Sequence, residues 1–221
     1  MAITVISLII VFAIAGYFVN RQMKLSTSSS KLEEAVGRDA GYTETIIMAE
    51  DEASSMSYQE LFELCDKSIE ERTNLLVELR GIYPEIQREL KTKLISFVNS
   101  ENELIRQESR LYRSELAFSL ASKSLKDAKK DYFSSLNSYD LERLRKKITE
   151  VTNAMYEMAG NNIIFVSNYK AVLEEESDIK IAMDQEGLRF VRKYQQSNLE
   201  EIRNQVQNLV NSAATELRDT K

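Results

Sequence analysis

The sequence predicts an all-α protein: an amino-terminal transmembrane helix, a flexible linker, and an elongated antiparallel helical bundle or coiled coil of about four helices. Three observations carry that expectation. One proline and six glycines in 221 residues are too few breakers for a turn-rich sheet protein. Residues 2–19 form an unbroken uncharged run of eighteen. From Phe62 onward an apolar side chain recurs every seventh position through Ile69, Leu76, Tyr83, Leu90, Phe97, Leu104, Leu111, Phe118, Leu125, Tyr132 and Tyr139.

The first segment, 1–24, reads as an anchor. At about 1.5 Å per residue, eighteen such residues nearly cross a hydrocarbon layer of about 30 Å. Tyr17 and Phe18 stand where interfacial aromatics stand, and Arg21, Lys24 and Lys31 follow. That asymmetry places the amino terminus outside the cell membrane and the bulk of this single-pass chain in the cytoplasm. The alternative is a signal peptide cleaved after Ala15, at Ala13-Ile14-Ala15, with the rest exported.

Residues 25–56 read as a Ser-rich and acidic linker. Ser26-Thr27-Ser28-Ser29-Ser30 is a polar tract, Ser30-Lys31-Leu32-Glu33 has the form of a capping box, and Gly37 is placed to close a short helix. Residues 42–71 hold nine acidic groups and one basic, a solubilising stretch or a surface for a basic partner.

Residues 57–221 read as the bundle. Ser57-Tyr58-Gln59-Glu60 is a capping box, and Gly81 and Pro84 separate a first helix ending near Arg80 from a second starting near Glu85. The cluster 134–138 turns the chain. Beyond it a 4-3 seam runs Leu141, Leu144, Ile148, Val151, Met155, Met158, Asn162, Phe165, Tyr169, Val172, Glu176, Ile179 and Met183, passing Gly160 in phase and losing phase at Glu186-Gly187. A last helix is expected at about 188–217, carrying Leu199, Ile202, Val206, Leu209 and Ala213. The two central helices outlast the outer ones, so a two-helix finger is expected near 111–155.

Composition also limits chemistry. Histidine is absent, which removes Ser-His-Asp and Cys-His schemes and every His-containing metal site. No two glycines lie within three residues, so no phosphate-cradling loop is present. Glu174-Glu175-Glu176 with Asp178 points around a helix rather than converging, and reads as surface. Cys65, the lone cysteine, reads as a small packed thiol. No catalytic, cofactor or metal residues are expected, and the chain is read as no enzyme. No motif assigns it to a named family.

The candidate contact surface is electrostatic. Lys123, Lys126, Lys129 and Lys130 precede the 134–138 turn, and Arg143, Arg145, Lys146 and Lys147 follow it, against Asp127, Asp131, Asp140 and Glu142. This basic tip suits anionic lipid or an acidic protein, with nucleic acid the weakest option because no groove-reading motif accompanies it. The solvated surface of a coiled coil gives the same pattern. The expectation is a non-enzymatic membrane-anchored scaffold or adaptor with protein partners, held in the membrane by residues 2–19, its seam also permitting homo-oligomers. The alternatives are an extracytoplasmic helical sensor or envelope domain, and a structural subunit of a larger membrane complex.

Overall fold

A computed structural model describes residues 2–51, 57–82, 88–190, 194, 200 and scattered positions up to 218; the side chains of 2–13 and 45–51 lie outside it. Four long helices follow in order: α1 (Ala2–Asp51), α2 (Tyr58–Gly81), α3 (Arg88–Ser135) and α4 (Ser138–Gln185). No strand occurs among the described residues. Successive helices pack against each other antiparallel. Asp39 and Thr43 of α1 meet Arg72, while Arg38 meets Glu78 further along α2. Asp66 of α2 meets Arg113 of α3 at 2.6 Å, and Lys91 donates to the carbonyls of Arg80 and Ile82 at the opposite end. Ser100 of α3 bonds Glu175 of α4, and Asp131 bonds Arg143 near the far end.

The linker expectation is the main correction. The backbone stays helical from residue 2 to 51, so 25–51 is helix rather than a flexible tether, packed through residues 28–43. Ser28, Leu32, Ala35, Val36, Asp39 and Thr43 are buried, and their spacing of three and four makes one helical stripe facing the bundle. Thr27 and Thr43 return their hydroxyls to the carbonyls four residues earlier, which satisfies those groups without unwinding the helix. Gly37 does not end a helix; it and Gly41 lie exposed inside α1.

Among the described residues no helix is long and apolar enough to cross a membrane. The apolar run 2–19 is helical in its backbone, but the side chains of 2–13 fall outside the described set, leaving only 14–19 of it. Ile14, Tyr17, Phe18, Val19 and Met23 are all exposed where α1 projects beyond the bundle.

Helix ends follow the capping chemistry in most places. Ser57 and Glu60 form the expected reciprocal capping box at the start of α2. The carboxylate of Glu60 accepts from the Ser57 backbone N–H and hydroxyl, and those bonds hold it below the usual carboxylate range. Gly81 is the last helical residue of α2, and Ile82 caps it in extended backbone, so the left-handed position expected at Gly81 is not used. Pro84 lies outside the described residues. Gly187 does take the left-handed conformation, at φ +70°. Leu188 N–H reaches Met183 O at 2.9 Å and Gly187 N–H reaches Asp184 O at 3.1 Å, the Schellman pattern, with Leu188 buried against the core. The phase loss at Glu186-Gly187 is therefore a helix end. The last helix does not begin at 188, since 188–190 and Tyr194 are non-helical; the described positions from 200 to 218 are all helical, while Leu199, Ile202, Val206, Leu209 and Ala213 lie outside the described residues.

Every member of the 4-3 seam in α4 is buried or half-buried, including Asn162 and Glu176, and Gly160 stays helical. In α3 the residues at sevenfold spacing from Leu90 to Leu125 are buried, Phe118 being half-buried. Both seams are filled within one chain. α2 accompanies α3 only as far as Tyr58 beside Phe118. Past that level, among the described residues, α3 and α4 continue alone around a small core of Leu125, Ala128, Leu144 and Val151. Residues 119–135 carry this finger about 25 Å beyond the end of α2.

Candidate functional site

Two places concentrate polar chemistry: the finger tip and a buried ionic cluster in the bundle.

At the tip, α3 ends at Ser135 and α4 starts at Ser138 with Asn137 as its cap. The Asn137 side chain accepts from the Asp140 N–H at 2.8 Å, satisfying a donor that the helix start leaves open. Leu136, between the helices, has φ +52° and donates its N–H to Tyr132 O at 2.7 Å. The eight expected basic residues all lie on the finger. Lys123, Lys126, Lys130, Arg143, Arg145 and Lys146 are exposed, and Lys129 and Lys147 are half-buried. Arg143 pairs with Asp131 at 2.7 Å and Lys147 with Glu150 at 2.6 Å, so part of the positive field is offset locally. Lys123 and Lys126 also line a groove of about 360 Å³ with Tyr58, Glu115 and Phe118, where α2 begins. Burial first, and the Glu115 charge second, raise the Tyr58 phenol above its usual range.

Residue types alone did not single out the apex. Phe133, Leu136 and Tyr139 are 70%, 69% and 75% exposed, among the most exposed large apolar side chains described. Tyr132 tilts against Phe133 with ring centroids 5.5 Å apart. Tyr139 continued the sevenfold series in sequence, yet it lies past the turn, where the series no longer faces a partner helix.

The second place has no signal in the sequence beyond Glu176 at its seam position. Arg72 is fully buried in α2. Its Nε donates to Asp39 Oδ1 at 2.8 Å, and its terminal nitrogens donate to the Ser68 and Thr43 hydroxyls and to the Asp39 carbonyl. The Tyr42 ring lies 5.8 Å from the guanidinium carbon. Burial works against the guanidinium charge, and the carboxylates of Asp39 and Glu101 outweigh it, so its pKa is raised. Glu101 of α3 is fully buried beside it. Tyr194 belongs to the same neighbourhood; burial, then the Glu101 charge, push its phenol well above the usual tyrosine value. Its backbone N–H donates to buried Glu176 at 3.3 Å, and its ring stands edge-on to Tyr169 at 5.4 Å. All four helices and the segment after α4 thus meet at one ionic knot.

Glu176 therefore corrects the surface reading of Glu174-Glu175-Glu176. Glu174 is exposed, Glu175 accepts from Ser100 at 2.9 Å, and Glu176 is inside. Among the described residues no group of acidic or thiol side chains is arranged to hold a metal ion. Cys65 is buried and outside any disulfide, packed with Leu61, Ile105 and Tyr112. No protein-family model, curated protein or solved structure matches this chain.

Proposed function

We propose that the chain is a non-enzymatic, single-pass membrane-anchored scaffold or adaptor, which uses its helical bundle to hold a basic two-helix finger toward partners. The observation that carries this reading is the continuity of α1. One helix runs from the apolar segment 2–19 into the stripe at 28–43 that docks on α2. An anchor built this way fixes the bundle relative to the bilayer rather than trailing it on a tether. The finger then stands at the end of the molecule remote from the anchor, because Met23, Lys24 and Thr27 adjoin Gly81 and Ile82 at the base of α3.

The basic flanks of the finger are assigned to anionic partners, acidic protein among them, on charge. Reversal of Lys126, Lys130, Arg143 and Lys147 to Glu tests this with the full chain purified from its native membrane. Loss of co-purifying protein with the helical circular dichroism signal retained is the expected result, and unchanged co-purification refutes the assignment. Reporter fusions at both ends test the topology: a carboxyl terminus outside the cytoplasm defeats the scaffold reading in favour of an extracytoplasmic domain.

A further inference from the structure

We propose that the apex of the finger is a lipid-inserting surface that engages the anionic face of a membrane, which on the scaffold reading is a membrane other than the one holding residues 2–19. The proposal goes beyond the scaffold reading, and four observations on the apex carry it.

First, Phe133, Leu136 and Tyr139 expose about seventy per cent of their surface within seven residues, even with the Tyr132 ring beside Phe133. A single exposed apolar residue is ordinary; three at one convex point are a contact surface. Second, Leu136 occupies the left-handed region at φ +52°. A bulky residue pays strain there that glycine or asparagine avoids, and its side chain returns nothing to the core, since it lies in solvent. Strain kept at an exposed apolar position points to a use for that side chain.

Third, residues 132–139 contain no charged side chain. Of the two bordering carboxylates, Asp140 accepts from the side chains of Ser135 and Asn137. The other, Asp131, is paired with Arg143. Fourth, the cations form a collar set back from the apex. Lys130 and Arg143 stand three and four residues from Phe133 and Tyr139, about 5–6 Å along the helices, and Lys126, Lys129, Arg145, Lys146 and Lys147 follow. A headgroup layer is about 5–8 Å deep on each side of the hydrocarbon. An apolar and aromatic apex that reaches the acyl boundary therefore brings the collar level with lipid phosphates, where each cation adds to binding of an anionic leaflet. An acidic protein satisfies the collar but gives no reason for the set-back or for a small convex apolar point, which is far below the area of a stable protein interface.

The test exploits the absence of tryptophan from the chain. Phe133→Trp makes the apex the sole source of indole emission. The full-length protein, held in phosphatidylcholine nanodiscs, is titrated with vesicles of phosphatidylcholine containing a minority of phosphatidylserine, and with vesicles of phosphatidylcholine alone. The expected result is a blue shift and quenching by brominated acyl chains with the serine-containing vesicles only, weakened by salt. Leu136→Ser with Tyr139→Ser lowers the apparent affinity at least tenfold, and each of Lys130→Gln and Lys146→Gln lowers it about fivefold. Absence of the shift overturns the proposal. So does unchanged affinity in the serine variants, or a shift produced by polyglutamate and not by vesicles, which would assign the apex to acidic protein. A chain that stays out of the nanodiscs removes the anchor reading alone; the apex titration is then run on the chain in solution, because the indole reports only its own surroundings.

Discussion

At the residue scale the bundle is organised around a charge it fully buries. Arg72 stands seven residues from Cys65 and from Leu79, both fully buried, so it occupies a core register that normally takes leucine. A guanidinium there is tolerated because its donors are taken by Asp39, Ser68 and Thr43. Arg72→Met removes the cation and leaves the Asp39 and Glu101 carboxylates buried beside an apolar chain; the expected loss is about 3–5 kcal/mol in chemical denaturation. Arg72→Met with Asp39→Leu recovers part of that loss and not all of it, because Glu101 stays buried without its cation. Equal stability of the single and double variants would show that Asp39 is not the principal partner. Leu136 gives the opposite sign. Leu136→Gly relieves the left-handed strain at a solvent-exposed side chain and is expected to stabilise the fold by about 0.5–1 kcal/mol after the entropy of the unfolded chain is charged against it. A loss of stability would mean that the Leu136 side chain packs in the turn.

At the element scale the sharpest test concerns α1. Ser30 is exposed and sits in the interior of that helix. Ser30→Pro deletes a backbone hydrogen bond and clashes with the preceding turn, so it is expected to cost about 3 kcal/mol or more in thermal or chemical unfolding. In a flexible tether, or at the cap of a short helix, the same substitution would be nearly neutral. The sequence misled here for a physical reason. Its buried stripe is Ser28, Leu32, Ala35, Val36, Asp39 and Thr43, half of it polar, because Asp39 and Thr43 bond Arg72 while only Leu32, Ala35 and Val36 join the leucine core. Hydrophobic periodicity reads only apolar repeats, so a helix docked through an ionic cluster carries a weak signal. The seam of α4 was legible for the converse reason: eleven apolar residues of thirteen at 4-3 spacing leave one way to bury them. Asn162 and Glu176 kept phase within it and are buried as that phase required. The turn at 134–138 was legible from its serines and asparagine, while the exposed apex was not, since apolar side chains on a turn look the same in sequence whether they pack or project.

At the scale of the whole molecule, the packed α1 converts an expected tether into a spacer of fixed height. α1 passes the base of the bundle at Met23–Thr27, and α3 starts beside that base and runs 48 residues outward to the tip. At 1.5 Å per residue the tip stands about 70 Å from the base. If residues 2–19 are embedded, a fluorophore placed at Ser138 in the anchored protein lies about 70–80 Å from headgroup dyes in the same bilayer. Energy transfer to those dyes is then expected to be near background, and it should rise when Ser30→Pro unlocks α1 and lets the bundle tilt. Strong transfer in the unmodified sequence would mean that the finger lies along its own membrane, and the spacer geometry would fail. If residues 2–19 are embedded, a finger held at that height does not reach the lipid of their own bilayer, and a contact at the tip is then with something across a gap of that width. Shortening α3 and α4 together, by removing matched pairs of seven residues from the finger, keeps both seams in register and should draw that far surface nearer by about 10 Å per pair. The spacing between the anchor membrane and vesicles captured by the tip, measured in electron cryo-tomograms, is expected to fall by the same step, and a spacing indifferent to the deletion would show that the finger does not set it.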